Sequence, residues 1–121
     1  MERQVKWVKK NGYSIVEFLM DKLDLFETSN YLSYIESKLS EGGYTDVIVD
    51  LRKSLLIDSS GIGTLIALQS RLQKHSKIMA VVSDNETILK VFTITKMYDF
   101  LNICTSLDEA VEYLKRKRKN G

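Results

Sequence analysis

The residues whose types could do chemistry are concentrated in the segment Ile57-Asp58-Ser59-Ser60-Gly61-Ile62-Gly63. Two hydroxyls and one carboxylate stand side by side before a stretch with helical spacing of apolar residues. The first turn of a helix has free backbone N–H groups and the positive end of the helix dipole, so a serine there can cap the helix or carry an added phosphate. The segment therefore predicts a helix-capping serine, a phosphorylated serine, or both.

Two glycines follow these serines at a position where glycine is unfavourable. Gly61 and Gly63 each cost a helix ~1 kcal/mol relative to alanine, so their presence in a first turn calls for a steric reason. One reason would be the close approach of another molecule, and the other would be close packing of the helix against its own sheet. The spacing alone supports a partner site and an internal packing role about equally.

A catalytic serine is not predicted. The Gly-x-Ser-x-Gly elbow is absent, and the only histidine, His75, lies some 15 residues after Ser59, which on a helix corresponds to roughly 20 Å. There is no phosphate-binding loop with Gly-Lys-Ser/Thr, and the single cysteine, Cys104, has an apolar context typical of a buried residue. We expect no catalytic residue, no metal and no cofactor, and therefore not an enzyme.

The elements that position this segment are predicted from periodicity. Asn11-Gly12 marks a tight turn between two antiparallel strands, and Ser106-Leu107-Asp108-Glu109 has the spacing of a capping box. Strands are predicted at 5–9, 13–19, 46–51, 77–82 and 100–104, and helices at 30–39, 61–74, about 85–92 and from 106 onward. A length of 121 residues suits one domain, so the prediction is an α/β fold with a mixed β-sheet of about five strands and about four α-helices.

Composition and charge narrow the class of protein further. A hydrophobic share of 44% with 28% charged residues is that of a soluble globular protein, and no apolar run approaches the roughly 20 residues of a membrane span. We therefore expect a cytoplasmic protein without membrane insertion. The basic run from Lys115 to Lys119 suggests a domain at 1–114 followed by a basic tail at 115–121. Because the run has no interleaved aromatic residues, we favour a solvated helix end over direct nucleic-acid binding.

One family resemblance adds to this pattern. The strand Val47-Ile48-Val49-Asp50-Leu51, a short loop and then Asp58-Ser59-Ser60-Gly61-Ile62-Gly63 resemble the signature of STAS-domain anti-sigma factor antagonists, and the resemblance covers nearly the whole chain. In that family an Asp-Ser-Ser-Gly-Leu-Gly motif opens the second helix, and its first serine is the phosphorylation site. The resemblance implies that this site is Ser59.

Further roles follow from the same resemblance. It implies partner contacts for Asp58 as a positioning neighbour, for Ser60 as a helix cap or secondary contact, and for Gly61, Ile62 and Gly63 as close-approach positions. Asp24 corresponds to the acidic end of a Gly-x-Leu-Asp turn and is a further expected partner contact, although Asp21 stands where the family has glycine. Asn85 and Lys96 replace a common proline and glycine, so the loops around the third helix could differ in shape.

The resemblance also implies a partner-switching cycle. The unphosphorylated protein would bind an anti-sigma factor that is also a serine kinase of the histidine-kinase-like ATPase type, and so release a sigma factor. Phosphorylation of Ser59 would end this binding, and a metal-dependent serine phosphatase would restore it. We expect a monomer or weak dimer. The alternative is a STAS-domain scaffold or adaptor subunit of a stress-signalling or transport assembly, and the sequence separates the two poorly.

Overall fold

The computed structural model describes residues 4–23 and 28–120. Its elements, in chain order, are β1 Val5–Lys9, β2 Tyr13–Phe18, β3 Lys22–Leu23, α1 Thr28–Gly42, β4 Asp46–Asp50, β5 Leu56–Ile57, α2 Ser59–Lys74, β6 Met79–Val82, α3 Glu86–Ile94, β7 Ile103–Cys104 and α4 Leu107–Asn120. The predicted α/β fold with a five-stranded mixed sheet and four helices is confirmed.

The main sheet has the strand order β1-β2-β4-β6-β7. The β1–β2 pair is antiparallel and turns at Gly12, whose φ of +90° is a left-handed conformation that glycine adopts readily. The remaining pairs are parallel, and one row of partners runs from Val16 through Val49 and Val81 to Ile103. Strand β4 therefore lies at the centre of the sheet, and the loop that follows it leads to the serine segment.

Strand β4 is buried on both faces, as its continuous apolar run predicts. Val47 and Val49 belong to the larger core with α1, α2 and α3, whereas Ile48 belongs to a second core with α4. The helices thus cover both faces of the sheet, and the site at the start of α2 lies at the end of β4 where Asp50 stands.

A second, two-stranded sheet was not predicted. Strands β3 and β5 pair in parallel, with Lys22 opposite Leu56 and Leu23 opposite Ile57. Each has only two residues, so neither carries a recognisable alternation. This small sheet directly precedes α2 and sets the direction in which α2 begins.

Helix α4 continues through the basic run, so the predicted boundary between residues 114 and 115 falls inside a helix. Arg118 lies one turn beyond Leu114 on the same side of α4, and its Nε donates to Asp46 Oδ2 at 2.9 Å. Its Nη2 also donates to Asp46 Oδ1 and to the Ser76 carbonyl. The described part of the basic run is therefore attached to the domain through Arg118, while Lys115 and Lys119 are exposed.

Two further predictions can be compared with the described residues. The last strand is shorter than predicted, because residues 98–102 form turns in which Asn102 has a φ of +56°. The capping box at α4 is confirmed in part, since Glu109 N donates to Ser106 Oγ at 3.1 Å while the Glu109 carboxylate accepts from Thr105. None of the helices in the described ranges is both long and apolar enough to cross a bilayer.

Candidate functional site

Asp58 is the residue that caps α2. Its backbone is extended, with φ −105° and ψ −177°, and its Oδ1 accepts hydrogen bonds from Gly61 N at 3.0 Å and from Ser60 Oγ at 2.6 Å. An aspartate in this geometry satisfies one of the free N–H groups of the first turn and interacts favourably with the helix dipole. Of the two roles predicted for Ser60, a helix cap or a secondary contact, the cap belongs to Asp58 instead, and the Ser60 hydroxyl donates to the capping carboxylate. The secondary partner contact stays a prediction.

These hydrogen bonds keep the Asp58 carboxylate ionised. The hydrogen bond from Ser60 is the largest cause of a pKa below the ordinary value of 3.8, followed by the one from the Gly61 N–H, and the positive charge of Lys22 adds to them. The start of α2 therefore carries a fixed negative charge immediately before Ser59.

Ser59 is the first residue of α2, and its side chain is exposed. Within the described part of the chain its hydroxyl forms no hydrogen bond, whereas Ser60 Oγ and Gly61 N both donate to Asp58 Oδ1. A serine with a free, exposed hydroxyl at this position is accessible to a modifying enzyme. Its replacement or modification removes no contact that the fold uses.

The two glycines have different environments. A Cβ on Gly61 would lie 2.8 Å from the Leu23 carbonyl oxygen and 2.8 Å from Ile57 Cγ1, so Gly61 lets α2 pack against the small β3–β5 sheet. A Cβ on Gly63 would have nothing within 4 Å, and Gly63 is exposed. The close approach predicted for Gly61 thus takes place within the chain, whereas Gly63 leaves a bare stretch of helix backbone at the surface.

The remaining predicted site residues fall into three groups. Ile62 is 8% exposed and packs in the larger core, so its side chain offers little surface to a partner. Asp58 and Ser60 are partly exposed beside Ser59. Asp24 lies outside the described residues.

An apolar surface that was not predicted from the sequence precedes this site along the chain. Leu55 and Leu56 are 53% and 50% exposed and come three to four residues before Ser59. Together these two leucines present apolar area to solvent, and contiguous apolar area at a surface is a feature of partner-binding sites. The signal in the sequence was the alternation Leu56-Ile57 before Asp58, which directs Ile57 inward and Leu56 outward once β5 is recognised as a strand.

The loop that carries these leucines is held at several points. Arg52 donates through Nε and Nη2 to the buried Asp50 carboxylate at 3.0 and 2.9 Å. The buried Ser54 hydroxyl donates to the Met20 carbonyl at 2.8 Å, and the Leu55 backbone N–H donates to the Asp21 carbonyl at 2.7 Å. We call the surface formed by Leu55, Leu56, Asp58, Ser59 and Gly63 the α2 entry surface, and these contacts hold its loop in a fixed conformation.

Metal or nucleophilic chemistry finds no support in the described residues. No group of three or more histidine, cysteine or acidic side chains there could hold a metal ion. Cys104 is buried as predicted, and burial raises the pKa of its thiol to about 11, which keeps it protonated. His75 stacks on Tyr44 with ring centroids 3.5 Å apart at the far end of α2, which for 16 residues lies about 24 Å from Ser59.

Comparison with known proteins places the chain in a family. The STAS domain family matches residues 5–110. The chain belongs to the STAS domain family. A Thermotoga maritima protein, provisionally named an anti-sigma factor antagonist, is 22% identical over 96 residues that cover 79% of this chain and 85% of that protein.

Solved structures show the same fold at low sequence identity. An anti-sigma factor antagonist from Mycobacterium paratuberculosis has a TM-score of 0.80 at 17% identity, covering 92% of each chain. SpoIIAA, an anti-sigma factor antagonist solved in its unphosphorylated form, has a TM-score of 0.75 at 16% identity, covering 92% of this chain and 96% of its own. A sulfate transporter family protein from Wolinella succinogenes has a TM-score of 0.71 at 18% identity, covering 89% of this chain and 88% of that one. The STAS fold therefore serves both classes of protein.

Proposed function

We propose that this STAS domain is an anti-sigma factor antagonist whose binding is switched by phosphorylation of Ser59. In the unphosphorylated form it binds an anti-sigma factor that is also a serine kinase of the histidine-kinase-like ATPase type, and a sigma factor is released. A serine phosphatase returns the modified protein to this form. The chain acts by binding in the cytoplasm and not as an enzyme.

The observation that carries the proposal is that different residues of the α2 entry surface cap the helix and present the free hydroxyl. Asp58 caps the helix, so the Ser59 hydroxyl is free and exposed. Leu55 and Leu56 supply apolar contact area beside it, and Gly63 leaves the helix backbone accessible. A kinase partner could therefore contact the leucines and reach the Ser59 hydroxyl without disturbing the cap.

The switch that we propose is local and electrostatic. A phosphate adds about −1.5 to −2 charges at neutral pH, and it would stand next to the ionised Asp58 and the exposed leucines. Removing such charges from water on binding costs free energy unless they are paired. Phosphorylation of Ser59 would thus weaken an interface that fits a neutral hydroxyl, while α2 keeps its cap.

The experiment uses tagged wild-type protein and the variants Ser59→Ala and Ser59→Asp, purified from native cells grown under two conditions. Ser70→Asp is the matched control, because Ser70 is an exposed serine of the same helix about 16 Å further along. We expect phosphate on Ser59 in a condition-dependent amount, a histidine-kinase-like ATPase that co-purifies with wild-type protein and Ser59→Ala, and loss of that partner with Ser59→Asp only. The phosphorylation switch would be refuted if Ser59 were unmodified in every condition. It would also be refuted if Ser59→Asp and Ser70→Asp co-purified with the same amount of the ATPase.

The second candidate is a STAS-domain scaffold or adaptor subunit. The observation that favours it is the similarity of fold to a sulfate transporter family protein. In that case the same purification would yield a stable assembly that is insensitive to Ser59→Asp, such as transporter components or a stress-signalling complex.

A further inference from the structure

A pocket lies at the opposite end of the sheet from the α2 entry surface. It has a volume of about 460 Å³ and opens between the β1–β2 hairpin, at Gly12 and Tyr13, and the second half of α4. Asp46 at its base is the first residue of β4, whereas the loop to Ser59 leaves from Asp50 at the other end of that strand. The strand has five residues, so its two ends are about 13 Å apart. The pocket is therefore distinct from the candidate switch site.

Among the described residues that line the pocket, one is acidic, Asp46, and it is already paired. Asp46 is 4% exposed and accepts hydrogen bonds from Arg118 and, at 2.9 Å, from the Ile78 backbone N–H. This leaves the positive charges of Lys115 and Lys119 at the rim. Lys115 is 4.0 Å from Glu112 with both side chains largely exposed, and such a pair is weak in water. Among the described residues no salt bridge is made by Lys119. The rim of the pocket is therefore positively charged.

The walls of the pocket change from apolar to cationic along α4. Val111, Lys115 and Lys119 follow each other at intervals of four residues and so lie on one side of the helix. Val111 and Leu114 contribute to the apolar wall, and Tyr13 on the hairpin packs with the same core cluster as Val111. The distance along the axis from Val111 to Lys119 is about 12 Å. One end of the pocket is apolar, and the other end presents two lysines.

We propose that this pocket binds a small amphipathic anion, with a short aliphatic or aromatic body against Tyr13 and Val111 and a carboxylate or phosphate between Lys115 and Lys119. The volume lies within the range of about 300–1,000 Å³ that small-molecule sites occupy. Burying an apolar body is favourable, and its anionic end meets the uncompensated positive charge of the rim. The ligand binds independently of the phosphorylation state of Ser59.

The test is a titration of the ¹⁵N-labelled protein with octanoate, followed by NMR. We expect saturable shifts at the amides of Gly12, Tyr13 and Val111. The neutral 1-octanol and inorganic phosphate should each bind at least tenfold more weakly, because each lacks one half of the ligand. The variant Ser59→Ala should bind octanoate like wild-type protein, so failure of the proposed switch leaves this outcome unaffected.

Charge variants test the rim directly. The double variant Lys115→Gln with Lys119→Gln should weaken octanoate binding about tenfold, since each exposed ion pair contributes roughly a factor of two to five. Lys74→Gln with Lys90→Gln, two exposed lysines on α2 and α3, is the control and should leave binding unchanged. The proposal would be overturned if octanoate and 1-octanol bound with equal affinity, or if the named amides did not shift. It would also be overturned if the protein bound only to vesicles that contain anionic lipid.

Discussion

The substitutions Gly61→Ala and Gly63→Ala should change stability in opposite directions, although the two glycines are neighbours on α2. A methyl group on Gly61 would lie 2.8 Å from the Leu23 carbonyl oxygen, and a backbone atom of a paired strand cannot move away cheaply. Overpacking of this kind costs typically 1–3 kcal/mol, from which alanine's better helix propensity recovers up to about 1 kcal/mol. We expect Gly61→Ala to lower the free energy of unfolding by about 1–2 kcal/mol.

Gly63→Ala meets no such obstacle, because nothing lies within 4 Å of the added methyl group. The change should raise the free energy of unfolding by about 0.5–1 kcal/mol through helix propensity and the reduced entropy of the unfolded chain. For a chain of this size 1 kcal/mol corresponds to a shift in Tm of roughly 3–5 °C. The two variants should therefore differ in Tm by about 10 °C.

Urea unfolding followed by circular dichroism, with Tm from thermal melts, measures both variants against wild-type protein. If Gly61→Ala is as stable as wild type, the added methyl group is not overpacked against Leu23. If Gly63→Ala lowers the free energy of unfolding by more than about 0.5 kcal/mol, the surroundings of Gly63 are not open. Under the proposed function Gly63→Ala has a second use. A variant that is more stable yet binds the kinase partner less tightly would have lost accessible surface and not folding.

Two further predictions concern single contacts. Asp58→Ala should cost about 0.5–2 kcal/mol by removing the cap of α2, whereas Asp58→Asn keeps a cap that does not titrate. Because the pKa of Asp58 is lowered in the folded protein, its charge stabilises the fold above the unfolded value of about 3.8, and urea titrations should show the advantage of wild type over Asp58→Asn fading as the pH falls below about 4. Arg118→Ala should cost about 1–3 kcal/mol in the same assay, since it leaves the buried Asp46 with the Ile78 N–H as its remaining partner, while the exposed Arg116→Ala should stay within about 0.5 kcal/mol. Equal losses for the two arginine variants would show that Arg118 does not anchor α4.

The parts of the fold that could be predicted are those with a local signal. Strand β4 has a continuous apolar run, and the turn between β1 and β2 has Asn11-Gly12. The pair of strands β3 and β5 could not be predicted, because two residues carry no period and their pairing depends on chain segments 34 residues apart. The contact between Arg118 and Asp46 spans 72 residues of sequence, and a run of five basic residues resembles a solvated tail unless the strand that it reaches is known.

The residue that caps α2 could not be predicted for a different reason. Asp58, Ser59 and Ser60 are all good cap residues, and they stand in a row, so composition alone cannot decide which of them caps the helix. Strand β5 determines which residue is the cap, because pairing of Ile57 with Leu23 holds Asp58 in an extended conformation just before the first helical residue. Ser59 then falls at the first helical position with its hydroxyl outward.

This placement bears on how a phosphorylation switch at Ser59 could work. If Ser59 were the cap, a phosphate on its hydroxyl would compete with the hydrogen bond that starts α2, and modification would loosen the helix and the small sheet beside it. With Asp58 as the cap, the hydrogen bonds from Gly61 and Ser60 stay in place when Ser59 is modified. Phosphorylation then changes the charge of the exposed surface that includes Leu55 and Leu56, and leaves the free energy of folding largely unchanged. Under the proposed function, the modified and unmodified proteins should therefore share one fold and differ in the charge that they present to a partner.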